Sequence, residues 1–247
     1  MQITPVPVLQ DNYAYVITDE RSQIAAAVDP VEPRKVLAAL DPGTRLTSIL
    51  TTHHHADHAG GNKELTGLIP QLAVYGFNDQ IPCLTDSVEH DLAFTIGMLR
   101  ITPFHTPCHT RGHVCFFVHD PNTDQKALFS GDTLFIAGCG RFFEGTAQDM
   151  AKNMDLLAKL PEETTVWCGH EYTRANLRFA ILVEPDNKAL AAKYKWACEQ
   201  PMTIPSTIGE EKQTNPFMRY NHSAVQRFTQ KQGVESMQAL RAAKDRA

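Results

Sequence analysis

The chain reads as an α+β protein whose strands and helices are segregated along the sequence. Up to about residue 170, short runs rich in β-branched and aromatic residues alternate with glycine and proline turns and a few helical stretches. Beyond that point the periodicity becomes helical. Several of the β-rich runs also stop at a histidine or aspartate beside a residue that permits a tight turn.

Taken in order, Pro33 to Leu40 is the first helical stretch, and Leu46 to Thr52 is the first strand that matters for chemistry. It runs into Thr52-His53-His54-His55-Ala56-Asp57-His58, with four histidines and one aspartate between His53 and His58. Neutral imidazole and carboxylate are the donors that zinc and similar first-row metals take. The spacing is not the helical His-Glu-x-x-His kind. It predicts an extended segment that turns at its end, with His53, His55 and Asp57 at every second position and His58 adjacent. His54 then points the other way, as an outer or structural group. Gly60-Gly61 lets the chain turn before a segment that begins at Asn62.

The pattern recurs downstream. Arg100 to Phe104 leads to Thr106-Pro107-Cys108-His109-Thr110 and then Gly112-His113. Lys126 to Ser130 ends in Gly131-Asp132-Thr133, and Thr164 to Cys168 ends in Gly169-His170-Glu171. A lone aspartate after a strand is usually a turn former or cap, and a lone histidine is usually a satisfied surface or core residue. The repetition favours ligands that converge, while His113 reads as an outer-shell or packing group.

A helical stretch from Ala147 to Leu160 precedes the last of these strands, and the remainder is helical: Arg174 to Val183, then Asn187 to Glu199 after Glu184-Pro185. A proline-rich loop spans Pro201 to Pro216, and Ser223 to Lys231 and Glu235 to Lys244, separated by Gly233, close the chain. The change of character divides residues 1–170 from residues 171–247.

The 247 residues, 43% of them hydrophobic, are enough to bury a large core. A net charge of −5 with no long basic run argues against a nucleic-acid or membrane-surface protein. Met1 to Asn12 lacks the cationic start and apolar core of a signal peptide, and no segment approaches the roughly 20 apolar residues of a membrane span. The six cysteines are therefore expected to be reduced thiols in a cytoplasmic protein. Cys108, Cys139 and Cys168 read as small buried hydrophobes.

The set His53-x-His55-x-Asp57-His58, His109, Asp132 and His170 resembles the ligand set of the metallo-β-lactamase superfamily. Asp11-Asn12-Tyr13, Gly131-Asp132-Thr133-Leu134-Phe135, Gly138 to Gly145, Gly169 to Thr173 and Thr214-Asn215-Pro216-Phe217-Met218-Arg219 are similar to the glyoxalase II (hydroxyacylglutathione hydrolase) family within it. The likeness covers nearly the whole chain. It implies an αββα sandwich carrying the metals, followed by a helical substrate-binding domain.

The resemblance also implies two divalent metal ions, zinc foremost, with iron or manganese as alternatives. One ion is expected on His53, His55 and His109, the other on Asp57, His58 and His170, with Asp132 bridging them. A metal-bound hydroxide is the expected nucleophile on S-D-lactoylglutathione, a glutathione thioester, with Asp57 orienting it. Arg141, Phe142, Phe143, Tyr172, Arg241 and Lys244 are the substrate residues it implies, in a monomeric enzyme that detoxifies methylglyoxal. Arg241 and Lys244 lie three apart, hence on one helix face. By residue type alone each would be a solvated surface charge.

Two positions depart from the pattern: Arg141 stands where some members have lysine, and Phe143 where some have tyrosine. The lost hydroxyl contact is worth about 1 kcal/mol. A persulfide dioxygenase with one iron, another ester or thioester hydrolase, and a metal-dependent scaffold are the alternatives. Metal stoichiometry separates a hydrolase, with two ions per chain, from the dioxygenase, with one iron.

Overall fold

A computed structural model describes all 247 residues. The chain forms two compact units, residues 1–105 with 112–131 and residues 106–111 with 132–247.

In the first unit, β1 (Gln2–Val8), β2 (Asn12–Asp19), β3 (Ile24–Val28), α1 (Pro33–Ala38), β4 (Arg45–Leu50), α2 (Ala56–Ala59), α3 (Asn62–Leu68), β5 (Ala73–Gly76) and β6 (Asp86–Ser87) come first. The six strands form one sheet in sequence order, antiparallel from β1 to β3 and parallel from β3 to β6. β7 (Phe94–Ile96), β8 (Leu99–His105), β9 (Val114–His119) and β10 (Lys126–Gly131) form an antiparallel run.

Side-chain alternation explains how the layers stack. Strand side chains point to opposite faces at successive positions. Ala14, Val16, Ala25, Ala27, Ile49 and Val74 lie on the face that packs against Val36 of α1 and Leu65 of α3. The opposite face meets the β7–β10 run: the Tyr15 ring meets Phe129 edge-on at 5.3 Å, and Tyr75 stacks on Phe94 at 4.3 Å. This double coverage is why all eight residues of β2 are buried.

The second unit contains β11 (Leu134–Phe135), β12 (Gly138–Cys139), α4 (Ala147–Leu157), β13 (Thr165–Cys168), α5 (Thr173–Val183), α6 (Lys188–Glu199), β14 (Ser206–Thr207), α7 (Ile208–Thr214), α8 (Ser223–Thr229) and α9 (Gly233–Lys244). Polar caps set the helix starts. Thr146 and Asp149 form a reciprocal capping box on α4. The Asn187 carboxamide oxygen accepts from the backbone N–H groups of Ala189 and Leu190 on α6. Leu177 and Ala180 of α5 pack with Leu190 and Ala197 of α6 over Ala137.

Two expectations from the sequence need correction. The proline-rich stretch 201–216 is not all loop, because Thr207 caps α7 by accepting from the Glu210 N–H. Glu210 and Glu211 then complement the positive end of that helix. The histidine segment is not extended to its end either: β4 stops at Leu50 and α2 begins at Ala56. Asp57 and His58 are therefore helical, and His54 is half-buried with its ring 5.1 Å from His55.

Gly60 and Gly61 matter through close approach rather than unusual φ, since both have φ below zero. A Cβ on Gly61 would lie 1.9 Å from the Pro30 carbonyl oxygen. Gly61→Ala therefore has to displace backbone, and we expect a loss of about 1–3 kcal/mol. Reversible chemical denaturation checks this, with a lower midpoint at unchanged slope as the expected result.

Candidate metal centre

The first unit presents His53, His55, Asp57 and His58 just past the end of β4. Donor atoms of His53 and His55, of His53 and His58, and of Asp57 and His58 lie within 4.8 Å of one another. His53 Nε2 and His55 Nδ1 are 3.0 Å apart, and His58 Nε2 is 3.6 Å from Asp57 Oδ2.

The far nitrogen of two of these rings is anchored. His53 Nδ1 is 3.1 Å from the Thr52 hydroxyl, and His58 Nδ1 is 2.9 Å from Asp29 Oδ2. Asp29 is 3% exposed and also accepts from the Thr52 N–H at 2.8 Å and the Thr52 hydroxyl at 2.6 Å. A carboxylate on Nδ1 holds the proton there and leaves Nε2 basic, as a metal ligand requires. His113 is fully buried and stacks on His53 with centroids 4.9 Å apart, which makes it a packing group for that ring. The Asn12 amide donates to Asp57 Oδ2 at 3.0 Å and to its carbonyl at 3.2 Å.

The second unit presents His109, Asp132 and His170, each 5–6% exposed. One carboxylate oxygen, Asp132 Oδ2, lies 3.4 Å from His109 Nε2 and 3.4 Å from His170 Nε2. A charge-assisted hydrogen bond would bring these atoms to about 2.7–2.9 Å. Two donors each about 2.0–2.1 Å from one tetrahedral ion sit roughly 3.4 Å apart. The spacing fits shared metal coordination rather than an ion pair, and the donor set of imidazole and carboxylate suits zinc, iron or manganese.

The same anchoring holds in this unit. His109 Nδ1 donates to the Arg141 carbonyl at 3.1 Å, which leaves Nε2 for the metal. His170 stacks on Tyr172 at 4.7 Å with planes 7° apart and meets the Phe135 edge at 5.9 Å. A Cβ at position 140 would fall 1.9 Å from the Asp132 carbonyl oxygen and 3.0 Å from His109 Nδ1, so glycine is required where the chain crosses these two residues.

The other residues implied for substrate binding divide into two kinds. The Arg141 side chain is 63% exposed, Phe142 is half-buried, Phe143 is 60% exposed beside the His109 ring and Tyr172 is 37% exposed. Arg241 is instead buried: it donates to the Cys139 carbonyl at 2.9 Å, pairs with Asp245 at 2.9 Å and lies over the Phe217 ring. Lys244 donates to the Ala175 carbonyl at 3.1 Å and covers the Phe179 ring. Its ammonium pKa is lowered by burial and by the nearby Arg241 and Arg178 charges.

No disulfide joins the six cysteines. Burial pushes the Cys139 and Cys168 thiols up to about 12 and raises Cys108 as well, so these three are inert packing groups. Sequence reasoning missed Asp29. Its only signal is Val28-Asp29-Pro30, an aspartate directly after a buried strand, which is ordinary turn chemistry.

Asp29→Asn tests the anchoring. With the amide oxygen kept on the Thr52 N–H, the amide nitrogen donates to His58 Nδ1 and favours the tautomer with the proton on Nε2, which cannot ligate. Metal affinity should fall about 10–100-fold, measured by competition with a chromophoric chelator, while the far-UV circular dichroism stays that of the parent.

Residues 25–76 and 80–170 match the metallo-β-lactamase superfamily, and residues 171–247 match the hydroxyacylglutathione hydrolase C-terminus. The chain is 46% identical to the cytoplasmic hydroxyacylglutathione hydrolase of Arabidopsis thaliana, over 99% of this chain and 98% of the relative. It is also 46% identical to a hydroxyacylglutathione hydrolase-like protein of Gallus gallus, over 99% of this chain and 90% of that one. Among solved structures, TTHA1623 in a di-iron-bound form is 25% identical with a TM-score of 0.61, covering 88% of this chain and all of that one. The His and Asp clusters on this fold imply a dinuclear metal site. The chain belongs to the hydroxyacylglutathione hydrolase family of the metallo-β-lactamase superfamily.

Proposed function

We propose that this protein hydrolyses S-(2-hydroxyacyl)glutathione thioesters, S-D-lactoylglutathione foremost, to glutathione and the hydroxy acid, in the cytoplasm. The observation that carries the reading is the match of residues 171–247 to the hydroxyacylglutathione hydrolase C-terminus, on a chain whose preceding residues match the superfamily's metal-binding part.

We assign one ion to His53, His55 and His109, and the other to Asp57, His58 and His170, with Asp132 as the bridge. Two zinc ions are the first choice; iron or manganese suit the same donors. When bound, the metals supply Lewis-acid polarisation of the thioester carbonyl and a water deprotonated near neutral pH. The chain's own groups set the geometry. Asp132 offers one oxygen equidistant from two imidazole nitrogens, and Asn12 fixes the Asp57 carboxylate so that it can accept a hydrogen bond from the attacking water and orient it. A thiolate leaves readily, so the reaction needs no strong general acid.

Electrostatics around α9 favour an anionic substrate. Burial first, and then the Arg241 and Arg178 charges, depress the Lys244 ammonium, and a glutathione carboxylate beside Lys244 would offset both. Arg141 and Tyr172 complete the recognition of the peptide, with Phe142 and Phe143 as apolar walls.

Purified protein should hydrolyse S-D-lactoylglutathione, lose activity to a chelator and regain it with zinc. Two metals bound without turnover would move the substrate elsewhere in the superfamily, and oxygen uptake with a glutathione persulfide would indicate a dioxygenase. Lys244→Ala should raise KM several-fold at near-constant kcat. An unchanged KM would remove Lys244 from the substrate site.

A further inference from the structure

The sequence word Thr214 to Arg219 contributes no metal donor, yet Asn215 is fully buried at the end of α7. What it touches is the β11–β12 hairpin. This hairpin pairs Leu134 with Cys139 and Phe135 with Gly138, and turns at Ile136 and Ala137, the latter at φ +55°. Asp132 and Thr133 form one foot, and Gly140 and Arg141 form the other. Across the feet, the Gly140 N–H faces the Thr133 carbonyl at 3.4 Å, and the Arg141 carbonyl accepts from His109 Nδ1 at 3.1 Å. The position of Asp132 relative to His109 is therefore a property of this hairpin.

Two side chains fasten it from outside. Asn215 Nδ2 donates to the carbonyls of Phe135 at 3.1 Å and Gly138 at 2.9 Å, and is 3.0 Å from Glu211 Oε2. Glu211 Oε2 also accepts from the Ala137 N–H at 2.7 Å, holding the left-handed residue at the turn. The other Glu211 oxygen is held by Lys193 at 3.0 Å and Ser206 at 2.5 Å, so the carboxylate cannot swing away. A non-glycine residue at positive φ persists only where its surroundings fix it.

We infer that Asn215 and Glu211 are positioning residues for the metal ligands Asp132 and His109, acting through the β11–β12 hairpin, an inference that rests on those two residues holding metal. The pair sets the separation between the Asp132 oxygen and His109 Nε2, and a looser hairpin widens it. Metal affinity is then what the pair controls, beyond any contribution to folding.

The test uses Asn215→Asp and Glu211→Gln, both close to isosteric. The first sets a carboxylate against two carbonyls and Glu211; the second leaves an amide nitrogen facing donors whichever way it turns, the Ala137 N–H and Asn215 amide on one side or the Lys193 ammonium on the other. Zinc affinity is read by chelator competition well below the unfolding temperature, alongside kcat, KM and circular dichroism. Folded variants should need about tenfold more free zinc for half-saturation, the low end for residues behind metal ligands. Their kcat at limiting zinc should fall, with KM within about twofold of the parent.

A lower unfolding temperature with parental zinc affinity would reduce the pair to structural supports and overturn the inference. Should Asn215→Asp not fold, Asn176→Ala serves instead, because it removes only the 3.0 Å bond to the Ile136 carbonyl at the same turn. Unchanged zinc affinity there would also count against the hairpin. A parent protein that binds no zinc would defeat the metal reading itself, which separates that failure from this one.

Discussion

An imidazole serves a metal through one nitrogen only if the other nitrogen keeps the proton, and this constraint organises much of the chain around the centre. Thr52 holds His53, Asp29 holds His58 and the Arg141 carbonyl holds His109. Each anchor comes from a different kind of element: a strand end, a buried turn and a hairpin foot. The arrangement aims the Nε2 atoms without requiring a metal to do so, which lowers the reorganisation needed on binding.

The scaffold follows from that need for fixed donors. Backbone at the ends of buried strands is rigid because β2, β3 and β4 are covered on both faces, by α1 and α3 on one side and the β7–β10 run on the other. Residues that follow such strands inherit their precision while remaining free of the sheet's side-chain alternation. The short helix α2 adds what a strand cannot, because the consecutive residues Asp57 and His58 bring donor atoms within 3.6 Å of each other instead of pointing to opposite faces. Crowding at Gly61 and Gly140, where a Cβ would meet backbone at 1.9 Å, is the steric counterpart of this close assembly.

Much of this was legible in the sequence, and the exceptions share a physical origin. The candidate ligands stood out because histidine clusters after strands have no folding rationale. The helices from Arg174 onward announced themselves by period and by the Glu184-Pro185 start. The roles of Asp29, Asn215 and Glu211 were not legible, although Asn215 lies in the word Thr214 to Arg219, since each acts by hydrogen-bonding backbone or a ring nitrogen that is distant in sequence. Local propensity carries no record of such partners. The turn of α7 was hidden by prolines that flank it rather than interrupt it, although Thr207 with Glu210 three residues on is a capping signature. Arg241 illustrates a further limit: periodicity with Lys244 placed it on a face, but not over the Phe217 ring and against Cys139.

The central proposal is that Asp132 would bridge two metals, one on His53, His55 and His109 and the other on Asp57, His58 and His170. Anomalous scattering from crystals of the metal-loaded protein at the absorption edge tests it directly. The account predicts two peaks roughly 3.5–4 Å apart, with Asp132 within bonding distance of both. A single peak, or two peaks that Asp132 does not join, would contradict it.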